Sequence, residues 1–421
     1  MKKSFLLFLL TVLLFSCSKD EVEPIISSIS EILPSNKKVR IADTIVFKGS
    51  NLSEINKIVF ISPETSVIAQ PIYINNDEIR VVVPILHNEN IKLKFLPDKI
   101  STPQIEFNLI GTFELRPNGF GGETISNVEM IDENIIYAGG ETKLFKSSDG
   151  GYEWIYKHNF YEGIRDVCFV DENRGWVSTA KKIYFTNDGG TTFNIVFSFP
   201  EYGNNNYIAK IHFNSVNNGY FLTIKGDIYE TLDNLNFNLA YDCPNNNDTG
   251  NSVDFDSLDV YNNSLLAYGY VGSNYDPTLI KKHNNAYNFS VFNDPVIYDC
   301  QLVSENRGYL IGLNVIGEYN FIKKVYYSDD LENWIDTGAT TQMEKLYFIN
   351  NDVGIGISSD ENAPGPHLKF YRVYETFDGG QNWKLRYTSK GYFEICRDID
   401  FFNKSGISCG TNRIVRKHIF E

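Results

Sequence analysis

Cys168-Phe169-Val170-Asp171-Glu172-Asn173-Arg174-Gly175-Trp176, followed by Ile183-Tyr184-Phe185-Thr186-Asn187-Asp188-Gly189-Gly190-Thr191-Thr192-Phe193, decides how this chain is read. Both stretches are short runs of β-branched and aromatic residues closed by Asp, Asn and Gly, the pattern of strands joined by tight turns. The first stretch has counterparts. An apolar start lies 11 residues before a glycine at Ile164 and Gly175, Ile208 and Gly219, Ile297 and Gly308, and Met343 and Gly354. Those starts are 44, 89 and 46 residues apart, and 89 is two periods. Looser copies at 125–139, 258–269 and 395–410 fill the gaps and bring the units to seven.

A period of 40 to 50 residues is that of four-stranded propeller blades. A second marker keeps phase with the first: Ser147-x-Asp149-x-Gly151-x-x-Trp154, Thr186-x-Asp188-x-Gly190-x-x-Phe193 and Thr376-x-Asp378-x-Gly380-x-x-Trp383. Thr231-x-Asp233 with Phe237, and Ser328-x-Asp330 with Trp334, are copies one residue shorter that lack the glycine, and His283-Asn284-Asn285-Ala286 with Phe289 stands where a sixth is due. In such a turn the Asp and Ser/Thr side chains accept backbone N–H groups, the glycine takes a positive φ and the aromatic packs between units. That chemistry makes Asp149, Asp188, Asp233, Asp330 and Asp378 scaffold residues. The three full copies resemble Asp-box (BNR) turns. The repeat as a whole looks most like the photosystem II stability/assembly-factor-like propellers, and is similar to the sialidase and sortilin propellers, over roughly 125–420. The resemblance implies a seven-bladed propeller over 111–421, with these turns on the face opposite the one such propellers usually bind with. The last unit lacks the turn motif, so a segment near 112–115 is expected to pair into it and close the ring.

The preceding stretch reads as a separate all-β domain. Strands are expected at 38–41, 44–48, 57–61, 78–83 and 91–95. Pro24-Ile25-Ile26, then Asp43-Thr44-Ile45-Val46-Phe47-Lys48-Gly49-Ser50-Asn51-Leu52, then Ile79-Arg80-Val81-Val82-Val83-Pro84, resemble an IPT/TIG immunoglobulin-like domain. The resemblance covers 24–110 and implies an Ig-like β-sandwich. The fold class is therefore all-β, a sandwich followed by a propeller.

Before it, Lys2 and Lys3 precede an apolar run from Phe5 to Phe15, about 11 residues and too short to span a bilayer core of roughly 30 Å. Leu14-Phe15-Ser16-Cys17 resembles a lipobox, so 1–16 is expected to be a lipoprotein signal peptide, Cys17 the acylated residue and 17–23 the tether. Several acyl chains hold a protein firmly on a membrane. Ser18-Lys19-Asp20-Glu21-Val22-Glu23 resembles the acidic export tag of lipoproteins moved to the cell surface, which implies an outer-membrane location. The 38 Lys and Arg against 53 Asp and Glu give a net charge of −15, or 36 − 53 = −17 once Lys2 and Lys3 are removed. Such an acidic chain repels phosphate backbones, so nucleic acid is not an expected partner. Besides Cys17 there are Cys168, Cys243, Cys300, Cys396 and Cys409, an odd number without a C-x-x-C pair, so no disulfide framework is expected, although Cys396 and Cys409 could face each other across one hairpin.

Chemistry is sparse. A sialidase would need an arginine clamp, a Tyr–Glu pair and an acidic general acid; Arg165, Arg174, Arg307, Arg372 and Arg397 are scattered, and no carboxylate pair stands out. The six histidines are isolated, and no metal or cofactor is implied. The expected function is non-catalytic binding of a glycan or protein through the propeller face, with the Ig-like domain as spacer. A sialidase-like hydrolase and a structural subunit of an outer-membrane complex are the alternatives. The candidate contact residues are aromatics expected in the loops of that face: Tyr161, Tyr202, Tyr207, Tyr275, Tyr319 and Tyr392.

Overall fold

In the computed structural model the repeat units become seven sheets. It describes residues 27–62, 66–84, 86, 90–98, 105–109, 113–115, 119–201, 206–244, 253–271, 276–291, 296–316, 320–360, 370–388, 396–403, 405–410 and 413–418. Cys17 and Tyr202, Tyr275, Tyr319 and Tyr392 lie outside the described residues. The inner strands are β1 (Asn127–Met130), β2 (Asp166–Phe169), β3 (Ile208–Ser215), β4 (Val253–Tyr261), β5 (Val296–Leu302), β6 (Lys345–Phe348) and β7 (Cys396–Phe402). Each opens a four-stranded antiparallel sheet whose strands follow in chain order. Each inner strand packs beside the next, and β7 packs beside β1, so the ring closes. The seventh sheet takes its outermost strand, Phe113–Leu115, from before the ring, paired with Arg413–His418 through Phe113 opposite Lys417 and Leu115 opposite Val415.

The repeated glycine is explained by crowding. A Cβ on Gly175 would come within 2.3 Å of the Phe169 ring, on Gly219 within 2.1 Å of Phe213, and on Gly406 within 2.0 Å of Phe401. In these sheets an aromatic near the end of the inner strand thus lies over the glycine of its own hairpin. Its other face receives an aromatic from the preceding sheet. Tyr137 stacks on Phe169 at 3.5 Å, Trp176 on Phe213 at 3.7 Å and Tyr309 on Phe348 at 3.5 Å between centroids. Tyr137 and Tyr309 are also tied forward, their hydroxyls donating to Glu172 O and Asn351 O at 2.7 Å. One repeated pair, glycine plus aromatic, both shapes a sheet and staples it to the next.

The Ig-like domain has two sheets. One orders Ser28–Leu33, Thr44–Ser50, Glu78–Val82 and Tyr73–Ile74; the other orders Lys38–Val39, Ile105–Leu109, Asn90–Leu96, Lys57–Ile61 and Ser66–Ala69. Ile45, Phe47, Ile58, Phe60, Ile79, Val81 and Phe107 fill the space between them. In the Gly49-Ser50-Asn51 turn only Asn51 adopts a positive φ, of 57°. Gly49 is needed for a different reason, because a Cβ there would sit 1.8 Å from Ser28 O. The domain does not hang free: Arg386, on the outer strand of the sixth sheet, is buried, and its Nε donates to the buried Glu375 at 3.0 Å while its Nη1 reaches Ile41 O and, at 3.2 Å, Asp43. Arg40 adds a contact to Glu375 at 3.4 Å. Undocking the domain would cost the buried Arg386 its Ile41 and Asp43 acceptors, although its pair with Glu375, within the same sheet, would remain.

Cys168, Cys243, Cys300, Cys396 and Cys409 are all buried free thiols. Cys396 and Cys409 do share a hairpin, but they do not face each other across it: Cys409 stands opposite Asp398, and Cys396 opposite Gly410. No helix among the described residues is long and apolar enough to cross a membrane.

Candidate functional site

Two sets of aspartates occupy opposite environments in the ring. The first set sits in the turns between the third and fourth strands. In the first sheet Ser147 Oγ donates to Asp149 at 2.8 Å and accepts the Gly151 N–H at 2.8 Å, while Asp149 accepts the N–H groups of Tyr152 and Glu153. Thr186 and Asp188 repeat this with Gly190, Thr191 and Thr192, and Thr376 and Asp378 with Gly380 and Asn382. Gly151, Gly190 and Gly380 have φ of 90°, 83° and 87°. The aromatic follows. Trp154 and Trp383 donate Nε1 to Gly151 O and Gly380 O, and Phe193 packs on Phe160 and His158 of the preceding sheet.

The shorter copies form the turn without glycine. Asn234 and Leu331 take the positive φ, 62° and 58°, and Asn234 accepts the buried Trp176 Nε1 at 2.6 Å. At the sixth place Asn284 and Asn285, with φ of 49° and 60°, make a two-residue hairpin in place of the Asp turn. Hydrogen bonds set the acidity of these aspartates. The Thr192 hydroxyl first, then the Thr192 N–H, holds the Asp188 carboxyl down at about 2; the Asn236 amide leads the set that holds Asp233 at about 2. Asp330 is held low as well, chiefly by the Asn333 N–H. A carboxylate engaged by several donors stays ionised and does not shuttle protons.

The second set lines the ring's axis. Alternate residues of the inner strands point inward, which builds two layers. Nearer the strand starts lie Asn127, Asp166, Lys210, Ser257, Asp299, Lys345 and Asp398; one step along lie Glu129, Cys168, His212, Asp259, Gln301, Tyr347 and Asp400. The carboxylates bridge from strand to strand. Asp166 accepts the Ile211 N–H at 2.9 Å, Asp299 that of Leu346 at 2.9 Å, Asp398 that of Val128 at 3.0 Å, Asp259 that of Leu302 at 2.6 Å and Asp400 that of Met130 at 2.6 Å. Inner edges that have no strand to pair with are satisfied by side chains instead.

The two layers differ in charge. In the first, Lys210 pairs with Asp166 at 2.9 Å and Lys345 with Asp299 at 3.2 Å, and Asn127 donates to Asp166. The second holds Glu129, Asp259 and Asp400 with no lysine. Burial is the main cause that pushes Asp259 and Asp400 up to about 7 and Glu129 well above its ordinary value, with Asp400 the next largest push on Glu129, followed by Asp166 and Asp398. Burial also holds the His212 imidazole down at about 4. The layers line a cavity of about 430 Å³ that reaches Tyr261, Val303 and Ile349, at the ends of the inner strands on the side of the Asp turns. Asp149, Asp188, Asp233, Asp330 and Asp378 are not among its lining.

Of the candidate contact aromatics, Tyr161 is 90% exposed on the connection from the first sheet to the second. Tyr207 is half-buried, with the Lys181 ammonium 4.6 Å above its ring. The inward-facing residues were missed in the sequence because an Asp or Lys inside a buried strand has no motif of its own. A signal was present all the same: Asp166, Lys210, Asp299 and Lys345 each stand two residues after a repeat start. Among the described residues no group of three His, Cys, Asp or Glu side chains is placed to hold a metal ion.

The architecture defines an all-β protein made of an immunoglobulin-like domain and a β-propeller. Residues 24–109 match the model of the IPT/TIG domain family. Among solved structures, the chain is similar to YCF48 bound to D1 peptide, at 16% identity and a TM-score of 0.56, over 76% of this chain and 100% of that one. It is also similar to YCF48 from Cyanidioschyzon merolae, at 12% identity and a TM-score of 0.55 over 73% and 98% of the two chains, and to the Pan2 WD40 domain of Neurospora crassa, at 9% and 0.52 over 73% and 92%. At these identities the likeness is one of fold. No curated protein matches the chain in sequence.

Proposed function

We propose that this chain is a non-catalytic binding protein of the bacterial outer membrane, anchored through acylated Cys17, that takes up a glycan or protein ligand on the loop face of its propeller. One observation carries the binding part. Tyr161 presents an almost fully exposed ring on a connection fixed between two rigid sheets. A large aromatic so displayed contributes nothing to the core, and suits stacking on a sugar or anchoring in a partner's pocket. Similarity to a propeller whose structure was solved with a bound peptide supports the same reading. The Ig-like domain, clamped through Arg386 and Glu375, serves as a rigid arm.

The test joins a glycan array to a pull-down from envelope extract, using the native protein and Tyr161→Ala. Capture of a defined glycan or partner, lost at least tenfold in the variant, supports the reading; capture unchanged by the variant, or none in either assay, overturns it. Globomycin-sensitive incorporation of labelled palmitate, abolished by Cys17→Ala, tests the anchor.

A further inference from the structure

The propeller axis contains a charge imbalance that the fold itself does not resolve. Six carboxylates, Glu129, Asp166, Asp259, Asp299, Asp398 and Asp400, face the cavity beside only two lysines, Lys210 and Lys345. Both lysines belong to the first layer, where they pair with Asp166 and Asp299. Second-layer carboxylates have no such neighbour. Asp259 and Asp400 each accept a backbone N–H from the adjoining strand. Glu129 lies deep in the molecule and has no hydrogen bond or ion pair among the described residues, so its carboxylate is presented to the cavity with its acceptors unused. An unpaired acid at that depth is costly unless a proton or a cation is supplied.

We infer that the axial cavity is a binding site for an alkylammonium group, seated against Glu129 and Asp400, which stand on the neighbouring inner strands β1 and β7. Three features fix the ligand class. The sign of the charge requires a cation. The absence of any metal-holding trio among the described residues favours a group that accepts dispersed hydrogen-bond acceptors over one that demands a tight coordination shell. The volume of about 430 Å³ exceeds what one ion fills and falls in the range of small-molecule sites. The route of entry follows from the layers. The end beyond the second layer opens past Tyr261, 42% exposed, on the side of the Asp turns, and gives a cation a route to Glu129 and Asp400 that does not pass the Lys210 and Lys345 ammonium groups. This site is therefore distinct from the loop face that carries Tyr161.

A cation bound there replaces protons. Glu129 faces Asp400, Asp166, Asp398 and Lys210; Asp400 faces Asp398 and Asp259; Asp259 faces Asp299 and Lys210; and the Tyr347 phenol faces Asp400, Asp259 and Glu129. Acids dominate around each second-layer carboxylate, so these groups hold protons near neutral pH and give them up when an ammonium arrives. Affinity accordingly rises with pH between about 5 and 8. Lysine side chains of a peptide and free diamines share this chemistry.

The test is titration calorimetry on the full-length protein at pH 7, in cacodylate and in HEPES buffer, with 1,5-diaminopentane, a single-lysine peptide and CaCl₂ as separate probes. Binding of the diamine or the peptide is expected, with a heat that differs between the buffers because protons are released. Whichever of the two binds identifies the source of the ammonium. Glu129→Gln with Asp400→Asn should weaken it at least tenfold and remove the buffer dependence, while Asp188→Asn leaves both unchanged. Because the buffer comparison is made on the unaltered protein, it stands even if the double variant misfolds. No heat with either amine at millimolar concentration, equal affinity in a folded double variant, or binding of calcium that excludes the amine would overturn the inference.

Discussion

The turn aspartates and the axial aspartates are the same residue type in the same ring, and they behave in opposite ways. Asp188 and Asp233 sit at the rim, each gathered by several donors within four residues, and are held at about 2. Asp259 and Asp400 reach across to a neighbouring strand with few donors, inside the protein, and are pushed up to about 7. Local sequence builds the first environment; the closing of the ring builds the second. The lesson concerns what makes a carboxylate inert. Rim residues are ionised, saturated and structural, whereas the axial ones are short of partners and so remain available to a ligand.

The comparison depends first on the ring being held together, and its most severe test removes a staple. Trp176 is fully buried, stacked on Phe213 and bonded to Asn234 of the next sheet. Trp176→Ala should cost about 3–5 kcal/mol in urea denaturation. A loss below about 1 kcal/mol would mean that the sheets are not stapled in this way.

Next in size is a pH effect of the axial set. Asp259 and Asp400 bind protons more tightly folded than unfolded, so their contribution is complete below about pH 4 and is lost as pH rises through about 7. Stability measured from pH 5 to 8 should fall, and Asp259→Asn with Asp400→Asn should remove on the order of 1–4 kcal/mol of that fall. The rim set has the opposite sign. Asp188 and Asp233 contribute above about pH 4 and lose that contribution as pH drops toward 2. Asp188→Ala should cost about 1 kcal/mol at pH 7, the scale of the hydrogen bonds it forfeits, and much less at pH 2. Smallest of all, Tyr161→Ala should leave thermal stability within about 0.5 kcal/mol while impairing ligand capture, because its ring packs on nothing.

The rim was readable in the sequence because its chemistry is local. Ser147, Asp149 and Gly151 lie within five residues of one another, so their spacing states their geometry. The sheet repeat was equally plain, since in three units the glycine clears a phenylalanine six residues earlier, as Gly175 clears Phe169, Gly219 clears Phe213 and Gly354 clears Phe348. The closing strand at Phe113–Leu115 could be anticipated from the missing turn motif in the last unit. What the sequence concealed was long-range. Nothing near Asp400 announces that Met130, 270 positions away, will supply its N–H. Nor does Glu129 show its lack of partners until six other inner strands surround it. The docking of Arg386 on Ile41 and Asp43 was hidden for the same reason, being a contact between domains.

One measurement addresses the division directly: the pH titration of aspartate side-chain carboxyls by ¹³C NMR on selectively labelled protein, with Asp188→Asn and Asp400→Asn to assign the two signals. Asp188 is expected to titrate near 2 and Asp400 near 7. A common midpoint near 4 for both would contradict the view that the rim carboxylates are saturated and the axial ones are not.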